Sequence, residues 1–137
     1  MSAQGLKACR TCKTTFPATN DNFYNLESSP DKLHPDCKQC CKVSRSLEAV
    51  RKRDKRVKIS IRQRVRAMNL GITYEDVKLS VVFRMSRGIC KLCGEWVMPK
   101  HASMDHILPL SRGGTHHYHN VQLTHFLCNQ KKSNKVE

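Results

Sequence analysis

The 137-residue chain has little of several things that common protein classes require. It lacks any run of about 20 apolar residues, which a membrane-spanning helix needs, and its first residues lack the apolar stretch of a secretory signal. Aromatic residues make up only 6%, so the chain can bury one small core, or two that need further stabilisation. Acidic residues number 11 against 25 lysines and arginines, a net charge of +14. We expect a soluble, cytoplasmic protein with a polyanionic partner.

Cysteine, by contrast, is abundant. Disulfides are rare in the cytoplasm, so metal binding is the leading explanation for eight cysteines. They form two groups separated by a long stretch without cysteine, and the charge divides along the same lines. Residues 1–41 carry a net charge of +1, residues 42–68 carry +9 and residues 69–137 carry +4. The sequence therefore predicts three parts, with boundaries at 1–41, 42–70 and 71–137.

The middle part has the pattern of an amphipathic helix. Residues 42–68 contain no glycine or proline, and their apolar residues recur at three- and four-residue steps, with a break at Asp54. Asn69-Leu70-Gly71 is a typical helix end, because glycine often lies just past the last helical residue. At 1.5 Å per residue this helix would extend roughly 40 Å.

The remaining elements are predicted to be short. A second helix is expected from Thr73 to about Ser86, with Glu75 and Asp76 in its first turn. Residues 103–107 favour a strand, and Thr124 to about Lys132 favours a short helix with Thr124 near its cap. Residues 1–41 contain mainly turn formers and isolated apolar residues, too few to fold without a metal. The fold class is therefore α+β, built from small zinc-stabilised modules.

The spacing of the cysteines predicts two zinc sites. Cys-x-x-Cys places two thiolates on one ion, and two such knuckles complete a tetrahedron. The first site would be Cys9, Cys12, Cys37 and Cys40; a redox pair or free thiols are the alternatives. The second would be Cys90, Cys93, His125 and Cys128, unless His125 is a surface residue and the cysteines are core. Cys41 is expected to be a small buried residue at the start of the basic helix.

Between the second pair of knuckles lies Asp105-His106-Ile-Leu-Pro-Leu-Ser-Arg-Gly-Gly, followed by Asn120-Val-Gln-Leu and, beyond Cys128, by Asn129-Gln-Lys-Lys. This sequence resembles the HNH endonuclease family over residues 74–133. The family pattern is Asp-His-Ile-x-Pro-Leu-x-x-Gly-Gly, then Asn-x-x-Leu, then Cys-x-x-Cys-Asn-x-x-Lys. The resemblance implies a β-hairpin and a helix around a divalent ion, with Asp105 and His106 on the first strand, Asn120 starting the second strand and Asn129 on the helix. Residues 71–137 would then be an HNH nuclease domain with a zinc site of three cysteines and one histidine.

The resemblance also implies roles for these residues. Hydrolysis of a phosphodiester needs a base for water, a cation for the developing charge and stabilisation of the leaving oxygen. His106 would be the general base, because a neutral imidazole can accept a proton. Asp105 and Asn129 would hold Mg²⁺ or Mn²⁺ through oxygen. Asn120 would fix the loop and orient His106. The products would be 5′-phosphate and 3′-hydroxyl ends.

Several assignments stay open at this point. The family usually has cysteine where this chain has His125, which on a helix could reach either the zinc or the catalytic ion; we favour zinc because the site otherwise has three protein ligands. His116, His117 and His119 lie between the active-site strands, where they could contact DNA, add a ligand or simply form a polar loop. The N-terminal module loosely resembles zinc-ribbon-like segments that precede HNH domains in phage endonucleases, which suggests a bacteriophage or mobile-element origin and, for a phage-encoded protein, action in the host cytoplasm.

The positive charge of the middle helix suggests that this helix binds duplex DNA. A solvated helix between two domains is the alternative. The residues expected to contact phosphate are Lys42, Arg45, Arg51, Lys52, Arg53, Lys55, Arg56, Lys58, Arg62, Arg64 and Arg66 on the helix, and Arg112, Lys131 and Lys132 near the active site.

The leading hypothesis is thus a DNA endonuclease with two structural zinc ions and one catalytic divalent ion, acting as a monomer or weak dimer. A non-catalytic zinc protein that binds DNA or RNA is the alternative from another class. An RNA-directed or structure-specific nuclease with the same chemistry is a third.

Overall fold

A computed structural model describes residues 5–67, 75–133 and 135, leaving aside the side chains of 59–60 and 63–67. The predicted helix end at 69–71 and helix start at Thr73 lie outside these residues. The chain divides into two compact units, Met1–Arg45 and Ser46–Glu137. Most of the helix that the sequence analysis treats as a separate linker therefore lies in the second unit.

The first unit consists of two short antiparallel hairpins and the beginning of a long helix. Strand β1 (Leu6–Ala8) pairs with β2 (Thr15–Pro17), and β3 (Phe23–Asn25) pairs with β4 (Leu33–Cys37). None of these strands was predicted from the sequence. The hydrophobic cluster at the core of the unit is small, and three of its five buried residues are cysteines: Cys9, Phe23, Leu33, Cys37 and Cys40.

Helix α1 comprises Lys38–Ala67, 30 residues. It begins four residues before the predicted start at Lys42, because β4 leads directly into it at Cys37. The backbone N–H of Lys38 donates to Asn22 O at 2.8 Å. The helix continues through Asp54, where the apolar pattern breaks.

Asp54 has a role that the pattern could not reveal: it caps the next helix. Helix α2 is Leu79–Met85, shorter than the predicted Thr73–Ser86. Lys78 is extended (φ −95°, ψ 130°), and the N–H of Glu75 donates to His116 O instead of entering a helix. The Asp54 carboxylate accepts hydrogen bonds from the backbone N–H of Ser80 at 2.9 Å and from its hydroxyl at 2.5 Å. A carboxylate from α1 thus caps α2, whereas the sequence predicted a helix that begins at Thr73 with Glu75 and Asp76 in its first turn.

The rest of the second unit is built on a hairpin and a helix. Strand β5 (Ala102–His106) pairs antiparallel with β6 (Val121–His125), and α3 (Phe126–Lys132) follows β6 directly. Three single-turn 3₁₀ segments, Pro99–His101, Leu110–Arg112 and Tyr118–Asn120, lie in the connections. The predicted α+β class is confirmed, and the hairpin and helix have the expected ββα order.

Two boundaries in this hairpin differ from the prediction. Helix α3 begins at Phe126 and not at Thr124, because Thr124 and His125 pair with Ser103 and Ala102 as part of β6. Asn120 ends a 3₁₀ turn and precedes β6, so it does not start the strand.

Two of the cations predicted to contact phosphate instead help to fold the second unit. Arg53 Nη1 donates to Pro99 O at 2.7 Å and to Ala102 O at 2.6 Å, so its guanidinium joins α1 to the start of β5. Lys58 forms a salt bridge of 3.0 Å with Asp76. Among the described helices, none is long and apolar enough to cross a membrane.

Candidate metal centres and active site

The four cysteines predicted for the first metal site come together in the first unit. The sulfur atoms of Cys9, Cys12, Cys37 and Cys40 all lie within 4.8 Å of one another. Burial raises the pKa of the Cys12 thiol, but hydrogen bonds from Thr14 and from neighbouring cysteines outweigh it and lower the pKa to about 6. Four converging sulfurs fit a tetrahedral zinc ion.

The fifth cysteine of this region is not part of the group. Cys41 is buried, as expected, and its Sγ lies 3.4 Å from His34 Nδ1 and 3.6 Å from Asp36 O. The adjacent cysteines 40 and 41 therefore differ in environment, one among sulfurs and the other beside an imidazole.

The second predicted group, Cys90, Cys93, His125 and Cys128, also has its ligand atoms within 4.8 Å of one another. His125 Nδ1 lies 3.4 Å from Cys93 Sγ and 3.7 Å from Cys128 Sγ. Its other nitrogen, Nε2, lies 3.0 Å from Trp96 O and can donate to it, which presents Nδ1 as a lone pair towards the sulfurs. His125 is the last residue of β6 and the N-cap of α3, so it is not on the helix as the sequence analysis assumed.

The environment of Cys90 favours its thiolate form. Burial raises the pKa of the Cys90 thiol, but backbone N–H groups of Cys93, His125 and Leu92 outweigh it and lower the pKa to about 6. The N–H of His125 lies 3.4 Å from Cys90 Sγ. Because a thiolate is the form that binds zinc, this second group also suits a zinc ion.

Three of the four residues predicted for the active site, all except Asn120, line one cavity of about 520 Å³ in the second unit. Asp105 and His106 reach it from the end of β5, and Asn129 reaches it from α3. Ser111 and the exposed ring of Phe126 lie on its wall. The cavity thus combines an imidazole with a carboxylate and a side-chain amide, whose oxygens could bind a metal ion.

The Asp105 carboxylate is buried, with 4% of the residue exposed, and is held by two donors on one oxygen. Gln122, its cross-strand partner, donates from Nε2 to Oδ2 at 2.8 Å. Lys132 Nζ donates to the same oxygen at 2.7 Å and to His106 O at 2.7 Å. Within the described residues, Oδ1 accepts no hydrogen bond, so one oxygen of Asp105 is left for another ligand.

Lys132 was predicted to contact DNA, and that prediction is wrong. The residue is 2% exposed, and its ammonium is surrounded by the Asp105 carboxylate and backbone carbonyls. A cation fixed in this way cannot reach a phosphate at the surface. Its neighbour Lys131 is exposed.

The amide of Asn129 is oriented in a similar manner. Its Nδ2 donates to Ser103 Oγ at 3.0 Å and to Met104 O at 3.3 Å. In the part of the chain that the structure describes, its Oδ1 has no hydrogen-bond donor. An Asn oxygen and an Asp oxygen therefore line the same cavity without protein partners, which fits a hard divalent cation such as Mg²⁺ or Mn²⁺.

His106 contacts His116, one of the three loop histidines whose role the sequence left open. His106 Nε2 lies 3.0 Å from His116 Nδ1, and the two rings are 5.2 Å apart. His116 is 2% exposed and does not line the cavity, whereas His106 does. Burial, together with the nearby His117, lowers the pKa of His116, which favours its neutral form.

The loop that carries His116 is held by the segment before α2. The N–H of Glu75 donates to His116 O at 2.9 Å, and the Glu75 carboxylate accepts from the N–H of Tyr118 at 3.3 Å. The Tyr118 hydroxyl accepts from the N–H of Lys78 at 3.2 Å. These bonds explain how a loop histidine can be fixed inside the unit. His117 and His119 stack on each other near the surface and do not reach the cavity.

Asn120 bridges the two ends of the same loop. Its Nδ2 donates to Leu108 O at 3.0 Å and to Thr115 O at 2.7 Å, and its Oδ1 accepts from the N–H of Leu108 at 2.9 Å. Asn120 is buried and does not line the cavity. It is therefore placed to shape the loop and not to bind an ion.

The basic residues of the sequence analysis fall into three sets. Arg53, Lys58 and Lys132 bond within the second unit, as described above. The side chains of Arg64 and Arg66 lie outside the described ones. The exposed members are Lys42, Arg45, Arg51, Lys52, Lys55, Arg56, Arg62, Arg112 and Lys131.

Comparisons with known proteins agree with this architecture. Residues 90–135, about a third of the chain, match the family model described as HNH endonuclease. The chain is also 34% identical over 64 residues to a protein named as an HNH endonuclease, YoqL, from the SPbeta prophage of Bacillus subtilis (strain 168). That match covers 47% of this chain and 26% of YoqL, so the chain spans about a quarter of the length of the curated relative. The resemblance read from the motifs is confirmed by the match of residues 90–135 to the HNH endonuclease family model.

Proposed function

We propose that this protein is a divalent-metal-dependent endonuclease that hydrolyses phosphodiester bonds in duplex DNA and leaves 5′-phosphate and 3′-hydroxyl ends. The observation that carries the proposal is the cavity in which the imidazole of His106 meets oxygens of Asp105 and Asn129. The match of residues 90–135 to the HNH endonuclease family supports the reaction class.

Asp105 and Asn129 are the residues that would hold the divalent ion. Each has its other polar atoms fixed by protein partners, so each presents one oxygen at low entropic cost. When bound, Mg²⁺ or Mn²⁺ would neutralise charge that develops on the phosphate. Lys132 and Gln122 keep the Asp105 carboxylate in place.

His106 takes the proton from the attacking water. The contact between its Nε2 and His116 fixes the orientation of the ring, and we assign Nδ1 as the nitrogen that accepts the proton. Asn120 and Glu75 hold the loop that supplies His116. The base is thus positioned by bonds that do not involve the substrate.

Affinity for DNA comes from the exposed cations of α1, with Arg112 and Lys131 closer to the cavity. Each lysine or arginine that neutralises a phosphate releases counterions, so binding falls steeply as salt rises. The two cysteine-rich groups carry structural zinc and take no part in the reaction.

Relaxation of a supercoiled plasmid with Mg²⁺ tests the proposal. We expect the native chain to cleave the plasmid, and His106→Ala to lower the rate by about 10²- to 10⁴-fold, the usual contribution of a general base. His101→Ala is the matched control, because His101 is an exposed histidine outside the cavity. Equal cleavage by the native chain and His106→Ala would reject the proposed base. DNA binding without cleavage under Mg²⁺ and Mn²⁺ would favour a non-catalytic zinc protein.

A further inference from the structure

A second concave site lies between α1 and α2, in the second unit and apart from the cavity of Asp105. Its volume is about 330 Å³. Leu47, Arg51 and Asp54 line it from one face of α1, and Lys78, Ser80 and Arg84 line it from α2 and its cap. We call this site the α1–α2 groove. It shares no lining residue with the catalytic cavity.

The charge of the groove is strongly positive. Three cations line it, and its one carboxylate, Asp54, is occupied by the two hydrogen bonds from Ser80. In the described part of the chain, Lys78 and Arg84 form no salt bridge. Arg51 lies 3.9 Å from Glu48, and both side chains are more than half exposed, so this pair holds the guanidinium weakly.

We propose that the α1–α2 groove binds a backbone phosphate of the nucleic acid, as a contact additional to the catalytic cavity. The inference rests on the proposed function for the identity of the polyanion. Two guanidinium groups and one ammonium around a concavity suit the oxygens of a phosphodiester, because arginine donates paired hydrogen bonds to such anions. Lys78 and Arg84 were not among the residues that the sequence indicated for DNA contact.

The position of the groove favours a polymer over a free anion. Arg51 belongs both to the groove and to the exposed cations of α1, where Lys55 follows it by one turn. A strand that occupies the groove can therefore continue along α1 with its next phosphates. A small anion would use the groove alone.

Binding of the full-length chain to a labelled 30-base-pair duplex, without added Mg²⁺ and over a salt series, tests the inference. We expect Lys78→Glu and Arg84→Glu each to weaken binding by about tenfold at 0.1 M salt. The slope of log K against log salt should fall in magnitude by about 0.9 for each phosphate that the variant no longer neutralises. Lys100→Glu is the control with the same change of charge at an exposed position outside both sites, and its affinity should stay within about twofold of native.

The outcomes separate this inference from the proposed function. If the native chain binds and cleaves DNA but Arg84→Glu and Lys100→Glu bind alike, the groove is not a phosphate contact. If the native chain neither binds nor cleaves DNA, the proposed function itself fails. A contrary result would be that millimolar inorganic phosphate shifts the NMR resonances of Arg84 and Lys78 while Arg84→Glu leaves the affinity for DNA unchanged. That pair of results would mean that the groove binds a free anion, and it would overturn the inference. Thermal unfolding verifies that each variant folds, and Arg84→Gln replaces Arg84→Glu if it does not.

Discussion

The two nitrogens of a neutral imidazole differ, since one carries a proton and the other a lone pair. His106 Nε2 lies 3.0 Å from His116 Nδ1, so one of these two nitrogens donates a hydrogen bond to the other, and the contact fixes the plane of the His106 ring. His116 is itself held through its backbone by Glu75. In the proposed mechanism, a residue that does not line the cavity therefore orients the imidazole that would act as the base.

Replacing His116 tests this positioning role. We expect His116→Ala to lower kcat by about 10- to 100-fold, the usual cost of losing a partner that orients a reactive group, with little change in KM for DNA. His116→Gln, whose amide can hydrogen-bond to His106, should recover part of the loss. His119→Ala serves as the control, because His119 is exposed and stacks on His117 instead of His106. A change confined to KM would contradict the assignment and indicate a DNA contact.

Lys132 and Asp105 form a buried ion pair whose stability effect can be measured. Removing one partner leaves a buried charge without compensation, which typically costs about 3–5 kcal/mol. We therefore expect Lys132→Met to lower the free energy of unfolding by that amount, as measured with urea. Lys131→Met, the exposed neighbour, should change it by less than about 0.5 kcal/mol.

A double variant separates the ion pair from simple packing. In Asp105→Asn/Lys132→Met neither charge remains, so we expect the double variant to be more stable than Lys132→Met alone. Equal stability of the two variants would mean that the unpaired Asp105 carboxylate is not the source of the loss, and that the bonds from Lys132 Nζ to the carbonyls of His106 and Ile107 account for it.

At the scale of elements, α2 depends on a residue of α1. Seven residues are too few for a helix to be stable in isolation, and the cap of α2 comes from Asp54. Arg53, next to Asp54, attaches the same stretch of α1 to the backbone near β5. The long basic helix is therefore a structural part of the second unit from this point onward.

Loss of the Asp54 cap should be measurable. We expect Asp54→Ala to destabilise the second unit by about 0.5–2 kcal/mol, the range for removal of a helix cap, and Asp54→Asn to cost less because its amide oxygen can still accept from Ser80. Glu48→Ala, which removes an exposed carboxylate from the same helix, is the control. Faster amide exchange in 79–85 for Asp54→Ala, but not for Glu48→Ala, would locate the effect; unchanged exchange would show that the cap is dispensable.

The elements that could be predicted from the sequence are those with local signals. The periodicity of residues 42–68 identified α1, and the resemblance of the motifs to the HNH family identified Asp105, His106 and Asn129, which share the cavity. The boundaries of α2 could not be predicted, because its cap lies on another helix. Strands of three residues, as in β1 to β3, are too short to show an alternating pattern.

The errors among the site residues have the same physical origin. Lysine is usually exposed, so nothing local to Lys132 indicated that β5 would bury it beside Asp105. Three histidines within four residues look alike in sequence. His116 differs from His117 and His119 because Glu75, far away along the chain, binds its carbonyl and fixes the loop against His106.

At the scale of the whole molecule, each compact unit contains its own cysteine-rich group. In the first unit, three of the five residues in the hydrophobic cluster also belong to the cysteine-rich group, namely Cys9, Cys37 and Cys40. A core this small cannot offset the conformational entropy of folding without a further constraint. Zinc binding and folding should therefore be the same event in the first unit, while the second unit keeps its own site.

Adjacent cysteines in α1 allow a sharp test of this expectation. Cys40 belongs to the sulfur group and Cys41 does not, so we expect Cys40→Ser to reduce the zinc content from two ions per chain to one, and Cys41→Ser to retain two. Elemental analysis counts the ions, and hydrogen exchange should show loss of protection in 6–41 for Cys40→Ser with protection retained in 102–132. Two zinc ions in Cys40→Ser would contradict this expectation and show that another residue replaces the missing ligand. Cys41 and His34, whose side chains lie 3.4 Å from each other, are the first replacements to examine. Loss of both ions together would instead mean that the two units do not fold independently, because a change confined to the first site would then have unfolded the second.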